Sequence, residues 1–410
     1  MKKIVLSMAA AALTAGSLSA GAITLYQDKD TGAIYTKPGP NRVELGDFIS
    51  AKEVYIQNET IKSKMAKALK GTTVKSKVKT LKFSGKHYLG FTSINYDDNR
   101  DSINRFETRR NYLQVKAYWN KKDYARITLD TFQQYKDTGS KDDGSWLVRL
   151  KYAYIYLDNI LPYTGVEFGQ AHRPWIDWEE HHGWWYRSIN KVFVEDKYMG
   201  AHMTNSADIG FNLKTKTEYF SSEVGLFNGE GYHDASTEEN QQLSFEWRLT
   251  ANLLGTGKEK VHMDDEYADI SFFGQVNPEY KNNVKDFKWY GIHGVYNRPL
   301  FLVAAQYVKS DYEGDGAYEG NGWSVNGEFR PVKKWSILGR YDNWNVENDD
   351  PAVKDYTRKG YIAGVAYKYN KNVKFIGNIT HVDNRDPAYF AKYNHYNKYN
   401  QYMFTAEVNW

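Results

Sequence analysis

From about residue 80 onward, hydrophobic and polar side chains alternate with a period of two, the spacing of a strand with one apolar and one polar face. Leu113, Val115, Ala117 and Trp119 alternate with Tyr112, Gln114, Lys116 and Tyr118. Ala125, Ile127 and Leu129 then alternate with Arg126, Thr128 and Asp130, and the turn Asn120-Lys121-Lys122-Asp123 joins the two runs. The pattern returns in Leu243, Phe245, Trp247, Leu249 and Ala251, and in Trp335, Ile337, Gly339 and Tyr341, where Leu338 is an exception on the polar face. At the end of the chain Tyr402, Phe404, Ala406, Val408 and Trp410 form an apolar face opposite Met403, Thr405, Glu407 and Asn409. Such segments predict about sixteen strands, the first near 80–91 and the last near 400–410.

The connections alternate in length. Short turns occur at Lys121-Lys122-Asp123, Leu161-Pro162-Tyr163, Lys214-Thr215-Lys216, Asn297-Arg298-Pro299, Pro331-Val332-Lys333 and Asn370-Lys371-Asn372. Longer polar segments lie between them, at 135–145, 232–240, 311–320, 345–357 and 383–399. Alternation of this kind is imposed by an up-and-down transmembrane barrel, and a sandwich does not keep it. The predicted fold is therefore all-β: a transmembrane antiparallel up-and-down β-barrel. Its last strand must pair with the first, near Leu81 to Phe91, so that no open edge meets lipid. Tyr402, Phe404, Val408 and Trp410 are expected to face outer-membrane lipids as the barrel-closing strand, the handle for the barrel assembly machinery, with Glu407 turned to the lumen.

The N-terminal part reads differently. Residues 1–22 carry Lys2 and Lys3, an apolar run from Ile4 to Leu13 and an Ala20-Gly21-Ala22 site, which is a secretory signal peptide. Residues 23–79 are expected to form a periplasmic hairpin around Asp28-Lys29-Asp30-Thr31-Gly32, broken by Pro38-Gly39-Pro40, then a Lys-rich helix and linker. That helix starts at Ser50, repeats Val54, Ile61, Met65 and Leu69, and stops near Gly71. Residues 80–410 form the barrel.

Composition narrows the classes. Cysteine is absent, which removes disulfide scaffolds, thiolate zinc sites and thiol nucleophiles. Mean hydropathy is −0.70, and no stretch approaches the roughly 20 apolar residues of a membrane helix. Aromatic residues make up 16% of the chain, with 34 Tyr, the amphipathic rings a barrel places at the headgroup layers. Eight Lys and no acidic residue lie between Ile61 and Lys82, whereas residues 83–410 hold 40 basic and 44 acidic side chains. The Lys-rich segment reads as a solvated helix, and no nucleic-acid partner is expected.

Two stretches carry a resemblance. Arg109-Arg110-Asn111-Tyr112-Leu113-Gln114-Val115-Lys116 with Asp123-Tyr124-Ala125-Arg126-Ile127-Thr128-Leu129-Asp130, and Lys151-Tyr152-Ala153-Tyr154-Ile155-Tyr156-Leu157 with Val166-Glu167-Phe168-Gly169-Gln170-Ala171-His172-Arg173-Pro174-Trp175, resemble paired hairpins of the phosphate-selective porin O and P family. The resemblance implies a homotrimer of water-filled, sixteen-stranded barrels in the outer membrane, each with a third loop folded in at its waist. Residues 173–197 are the counterpart of that loop.

This loop holds Arg173, Asp177, Glu179, Glu180, His181, His182, Arg187 and Lys191, a mixture of signs rather than an anion trap. Arg110, Lys116 and Arg126 are expected along the pore, opposed by Asp130 and Glu167, with Glu246, Arg248, Arg340 and Asp342 also on the lumen face. With the barrel region net acidic, the expectation is a porin for small hydrophilic solutes and ions with a mixed-charge constriction. An anion- or phosphate-selective porin is the alternative.

Other chemistry is weaker. Glu179-Glu180-His181-His182, with His172 nearby, invites a metal, but neighbours on an extended segment point to opposite sides and no His-x-x-x-His spacing is present. No cofactor is expected. A barrel hydrolase would need a nucleophile held against a base, and no Gly-x-Ser-x-Gly elbow exists, so no catalytic residues are assigned. A structural or adhesin barrel with a salt-bridged, plugged lumen is the third class.

Overall fold

The computed structural model describes residues 23–48, 59, 63, 77–133, 144–229, 231–232, 242–278, 286–312, 319–347, 355–387, 390–391 and 396–410. The chain divides into two compact units, residues 1–76 and 77–410. Among the described residues no helix is long and apolar enough to cross a membrane.

The first unit contains a three-stranded sheet of β1 (Ile23–Asp28), β2 (Ile34–Tyr35) and β3 (Arg42–Phe48) in the order β2-β1-β3. Asp28 makes the turn: its Oδ1 accepts from the backbone N–H of Asp30 at 3.1 Å and of Thr31 at 3.0 Å. A two-stranded hairpin was expected. The Pro-Gly-Pro break instead sends the chain back, and β3 pairs along the whole of β1. The signal segment lies outside the described residues, as does the Lys-rich helix apart from Glu59 and Ser63, both helical.

The second unit is a closed barrel of sixteen antiparallel strands. They are β4 (Thr80–Tyr96), β5 (Ile103–Tyr118), β6 (Tyr124–Gln133), β7 (Trp146–Leu161), β8 (Thr164–His172), β9 (Ala207–Lys216), β10 (Phe220–Phe227) and β11 (Ser244–Asn252). The ring continues with β12 (Tyr267–Asn277), β13 (Phe287–Arg298), β14 (Phe301–Tyr312), β15 (Gly320–Val332), β16 (Trp335–Val346), β17 (Tyr356–Lys368), β18 (Val373–Asn384) and β19 (Asn397–Asn409). Each strand pairs with its sequence neighbours, and β19 closes on β4 from Tyr399↔Tyr96 to Asn409↔Lys86. Closure leaves no unpaired edge, which a wall in hydrocarbon requires.

The seam ends on Trp410. Its N–H and C=O exchange hydrogen bonds with Gly85 at 3.1 and 2.8 Å, and its indole Nε1 donates to His87 Nε2 at 3.0 Å. A Cβ on residue 85 would run into the indole, so glycine there makes the socket. Tyr402 and Phe404 point outward, 43% and 53% exposed.

The exterior carries two aromatic rings. On five strands an outward aromatic recurs after six residues: Tyr290 and Tyr296, Phe301 and Tyr307, Trp323 and Phe329, Trp335 and Tyr341, Tyr361 and Tyr367. Ile292, Val303, Val325, Ile337 and Val365 stand outward between them. Six residues of strand span roughly 20 Å, so the rings bracket an apolar belt in the manner of interfacial girdles.

Candidate conduction pathway

The interior is unequal around its circumference. On β4 to β7 the inward side chains are dominated by cations and tyrosines, Lys86, Tyr88, Arg110, Tyr112, Lys116, Tyr124, Arg126, Tyr152, Tyr154 and Tyr156, with Ser84, Gln114 and Thr128 among them. Alternation alone would send Arg109 and Lys151 outward. Two β-bulges turn them in. Tyr88 pairs with Arg110 and Leu89 with Thr108, leaving Arg109 as an extra residue; Thr128 pairs with Tyr152 and Leu129 with Leu150, leaving Lys151 as another. Arg109 reaches Thr405 and the Met403 sulfur on β19. Lys151 is 2% exposed, donates to Tyr112 Oη at 2.5 Å and lies 4.8, 5.5 and 5.4 Å from the rings of Tyr112, Tyr152 and Tyr232. A charge on the lipid face is costly, and that cost is the signal in the sequence that something turns these residues round.

Tyrosine rings hold the other cations. The Arg110 guanidinium sits 4.9 Å from the Tyr112 ring, Lys116 Nζ 4.6 Å from Tyr124 and the Arg126 guanidinium 4.4 Å from Tyr152. Arg126 also donates to Tyr154 Oη at 3.2 Å and contacts His172 Nε2 at 3.1 Å.

The opposite half of the barrel is filled by the connection between β8 and β9. It begins with the helix α1 (Ile176–His182), where an extended segment was expected. The helix forms because Trp175, Ile176 and Trp178 are driven against the wall together. Trp175 stacks on Phe273 with ring centroids 3.5 Å apart. Trp184, Tyr186, Val192, Phe193, Val194 and Met199 continue the buried face and pack with Trp289, Val308, Leu338, Trp344 and Ile362 from the strands.

Polar ties fix this loop in place. Arg173 Nε donates to both Glu246 oxygens at 2.9 Å. Gln306 donates to Glu179 at 2.5 Å, Asn326 to the Gly183 carbonyl at 2.8 Å, Arg340 to the Lys191 carbonyl at 2.7 Å and Lys374 to the Trp185 carbonyl at 3.1 Å. Tyr267 donates to the His182 carbonyl at 2.6 Å, while the His182 ring stacks on Trp178. Burial pushes the Glu179 carboxyl up to about 7.

What remains open is a passage of about 700 Å³ along the cationic wall. Its lining contains ten Lys or Arg and five Asp or Glu. The acidic groups are mostly engaged: Glu167 with His172 at 2.9 Å and Lys214 at 3.0 Å, Glu223 with Lys214 at 3.4 Å and Arg248 at 3.5 Å, and Glu180 with Arg187. Among the described residues no carboxylate lies within 4.0 Å of Lys86, Arg110, Lys116, Arg126 or Lys151.

The residues expected to line the pore therefore part company. Arg110, Lys116, Arg126, Glu167, Arg248, Asp177, Glu180, His181, His182 and Arg187 border the passage. Asp177 faces His172 and His181 at 3.7 Å from each. Asp130 is held by Arg149 at 2.7 Å, and Asp342 pairs with Arg340 at 2.5 Å behind the loop. Glu246 and Arg173 form a buried pair, and Lys191 reaches Glu195 at 3.1 Å. Among the described residues no three His, Asp or Glu side chains converge as a metal site.

No family model matches the sequence, and no curated protein is significantly similar to it. The fold has clear relatives among solved structures. An anion-selective porin from Comamonas acidovorans superimposes with a TM-score of 0.57 at 12% identity, over 81% of this chain and 99% of that one. OmpF of Salmonella typhi, solved with daunomycin, gives 0.56 at 12% identity over 82% and 98%. The trimer form of OmpT, an outer-membrane protein of Vibrio cholerae, gives 0.52 at 12% over 81% and 99%. At such identities the likeness is one of fold.

Proposed function

We propose that this chain is an outer-membrane porin: a water-filled channel through which small hydrophilic solutes and ions diffuse passively, with a preference for anions. The observation that carries the reading is the passage beside the docked loop, whose lining has twice as many cations as carboxylates. A closed barrel with an apolar exterior and two aromatic girdles suits a bilayer, and the solved structures it resembles include an anion-selective porin. The short-turn end then faces the periplasm and the long-loop end the outside.

The cationic wall favours the anion-selective alternative, while Asp177, Glu180 and Arg187 of the docked loop still border the passage with mixed charge. Lys86, Arg110, Lys116 and Arg126 on one wall, with no carboxylate of the described residues within 4.0 Å, attract anions into the passage and repel cations from it. The hairpins resembling the phosphate-selective porin O and P family lie on this wall, which supports membership of that family. The likeness to a trimer form supports a homotrimer, and Trp410 in its Gly85 socket is the feature the barrel assembly machinery would engage. Residues 1–22 serve as the export signal and 23–79 as a periplasmic extension.

Purified protein in a planar bilayer tests the reading. Stepwise conductance is expected, and a reversal potential under a KCl gradient should show chloride more permeant than potassium. Absence of steps sinks the channel. Hydrolysis of phospholipid or ester by the same preparation would favour an enzyme instead.

A further inference from the structure

The connection 253–266, between β11 and β12, breaks the rhythm of the barrel. It stands at the end where the other strand-to-strand links run from two residues, as at Pro162–Tyr163, to five, as at 119–123, yet it is fourteen residues long. A connection of that length is uncommon in a compact domain and is usually either functional or a linker. This one buries an apolar side chain.

Its two arms are tied to the rim. On the β11 side the Gly257 N–H donates to the Glu218 carbonyl at 2.8 Å, and Gly257 sits so close to the Thr217 carbonyl that a Cβ would not fit. On the β12 side Arg330 donates to the Met263 carbonyl at 2.8 Å, and Asn297 donates to the carbonyls of Met263 and Asp265 at 3.2 and 2.6 Å. Between these anchors Val261, 5% exposed, enters the same apolar cluster that holds the inward loop from the other end. Glu259 and Lys260 remain exposed beside it and form part of the lining of the passage.

We infer that residues 253–266 are a second selectivity element, folded in from the short-turn end, in which Glu259 and Lys260 set the charge at that mouth. The inference rests on the channel reading. A permeating ion passes the cationic wall and then this mouth, so filtering is divided between two constrictions in series. Because conductances in series are limited by the narrower, opening either one widens the path only as far as the other allows.

Two variants test it in the full-length protein in planar bilayers under a KCl gradient. Replacing residues 255–264 by Asn-Gly should raise single-channel conductance roughly 1.5-fold or more, since it removes a constriction in series. Lys260→Glu, an exposed substitution that spares the Val261 anchor, should lower the chloride-to-potassium permeability ratio roughly twofold. If the Lys260→Glu protein inserts and gives the parent's conductance and reversal potential, the inference is overturned, whether or not the loop replacement assembles. A parent protein that never conducts would overturn the channel reading itself, a separate outcome.

Discussion

The two halves of the lumen share a wall geometry and differ in everything else. Along β4 to β7 the inward side chains are mainly Lys, Arg and Tyr, and water has room beside them. Along β12 to β18 they include Phe273, Trp289, Val308, Leu338, Trp344, Ile362 and Ile376, each 3% exposed or less, and the loop 173–206 is packed on them. The hydrogen-bonded ladder is indifferent to what points inward. The side chains alone decide whether a half is wet or dry, and the dry half makes the wet half narrow.

The largest effect should come from abolishing the difference. Deleting residues 177–191 removes Trp178, Trp184, Tyr186 and Ile189 from the docked face, together with the ties at Glu179, Gly183, Trp185 and Lys191, so conductance should rise roughly twofold or more while the closed ladder persists. Unchanged conductance in single-channel recordings would place the loop outside the path. Next comes the wet half. Arg110→Glu with Arg126→Glu turns two of its unpaired cations into anions, and reversal potentials should move from chloride toward potassium preference. Retained anion preference would show that these residues do not set selectivity.

A smaller change tests the dry half by itself. Phe193→Ala leaves a cavity in the loop's fully buried face and should weaken its docking by about 3–5 kcal/mol. The expected readout is noisier open-channel current with the reversal potential unaltered. A quiet trace would mean that the polar ties suffice.

The smallest effect concerns Glu179. Its carboxyl titrates near 7 when docked, above the ordinary value of 4.5, so docking takes up a proton. Docking is therefore strongest below about 4.5, weakens as pH rises through the docked value and changes no further beyond it. Current noise should increase from pH 5 to 8, and Glu179→Gln should flatten that dependence. An identical profile in the variant would assign it elsewhere.

Charge was the least legible property. A balance of 40 basic and 44 acidic residues in 83–410 suggests no anion preference. The balance says nothing of where charges stand: carboxylates such as Glu246, Asp342, Glu195 and Asp130 pair with Arg173, Arg340, Arg187 and Arg149, while the passage is lined by ten Lys or Arg and five Asp or Glu. Glu246 and Arg173 stand 73 apart in sequence and Asp130 and Arg149 nineteen, so these two pairings have no local signature.

Strand number, closure and the outward face were legible because a period of two is local, and a slip by one residue would turn every apolar side chain inward. Leu338, an apolar exception on a polar face, was a sign along the chain that part of the lumen is dry; it is 3% exposed. The tertiary structure alone decided the rest. The bulges that turn in Arg109 and Lys151 exist only as a mismatch between two paired strands. The dry half exists only because a loop entering from one end and residues 253–266 entering from the other meet the same distant side chains, and a barrel wall brings those together only when it closes.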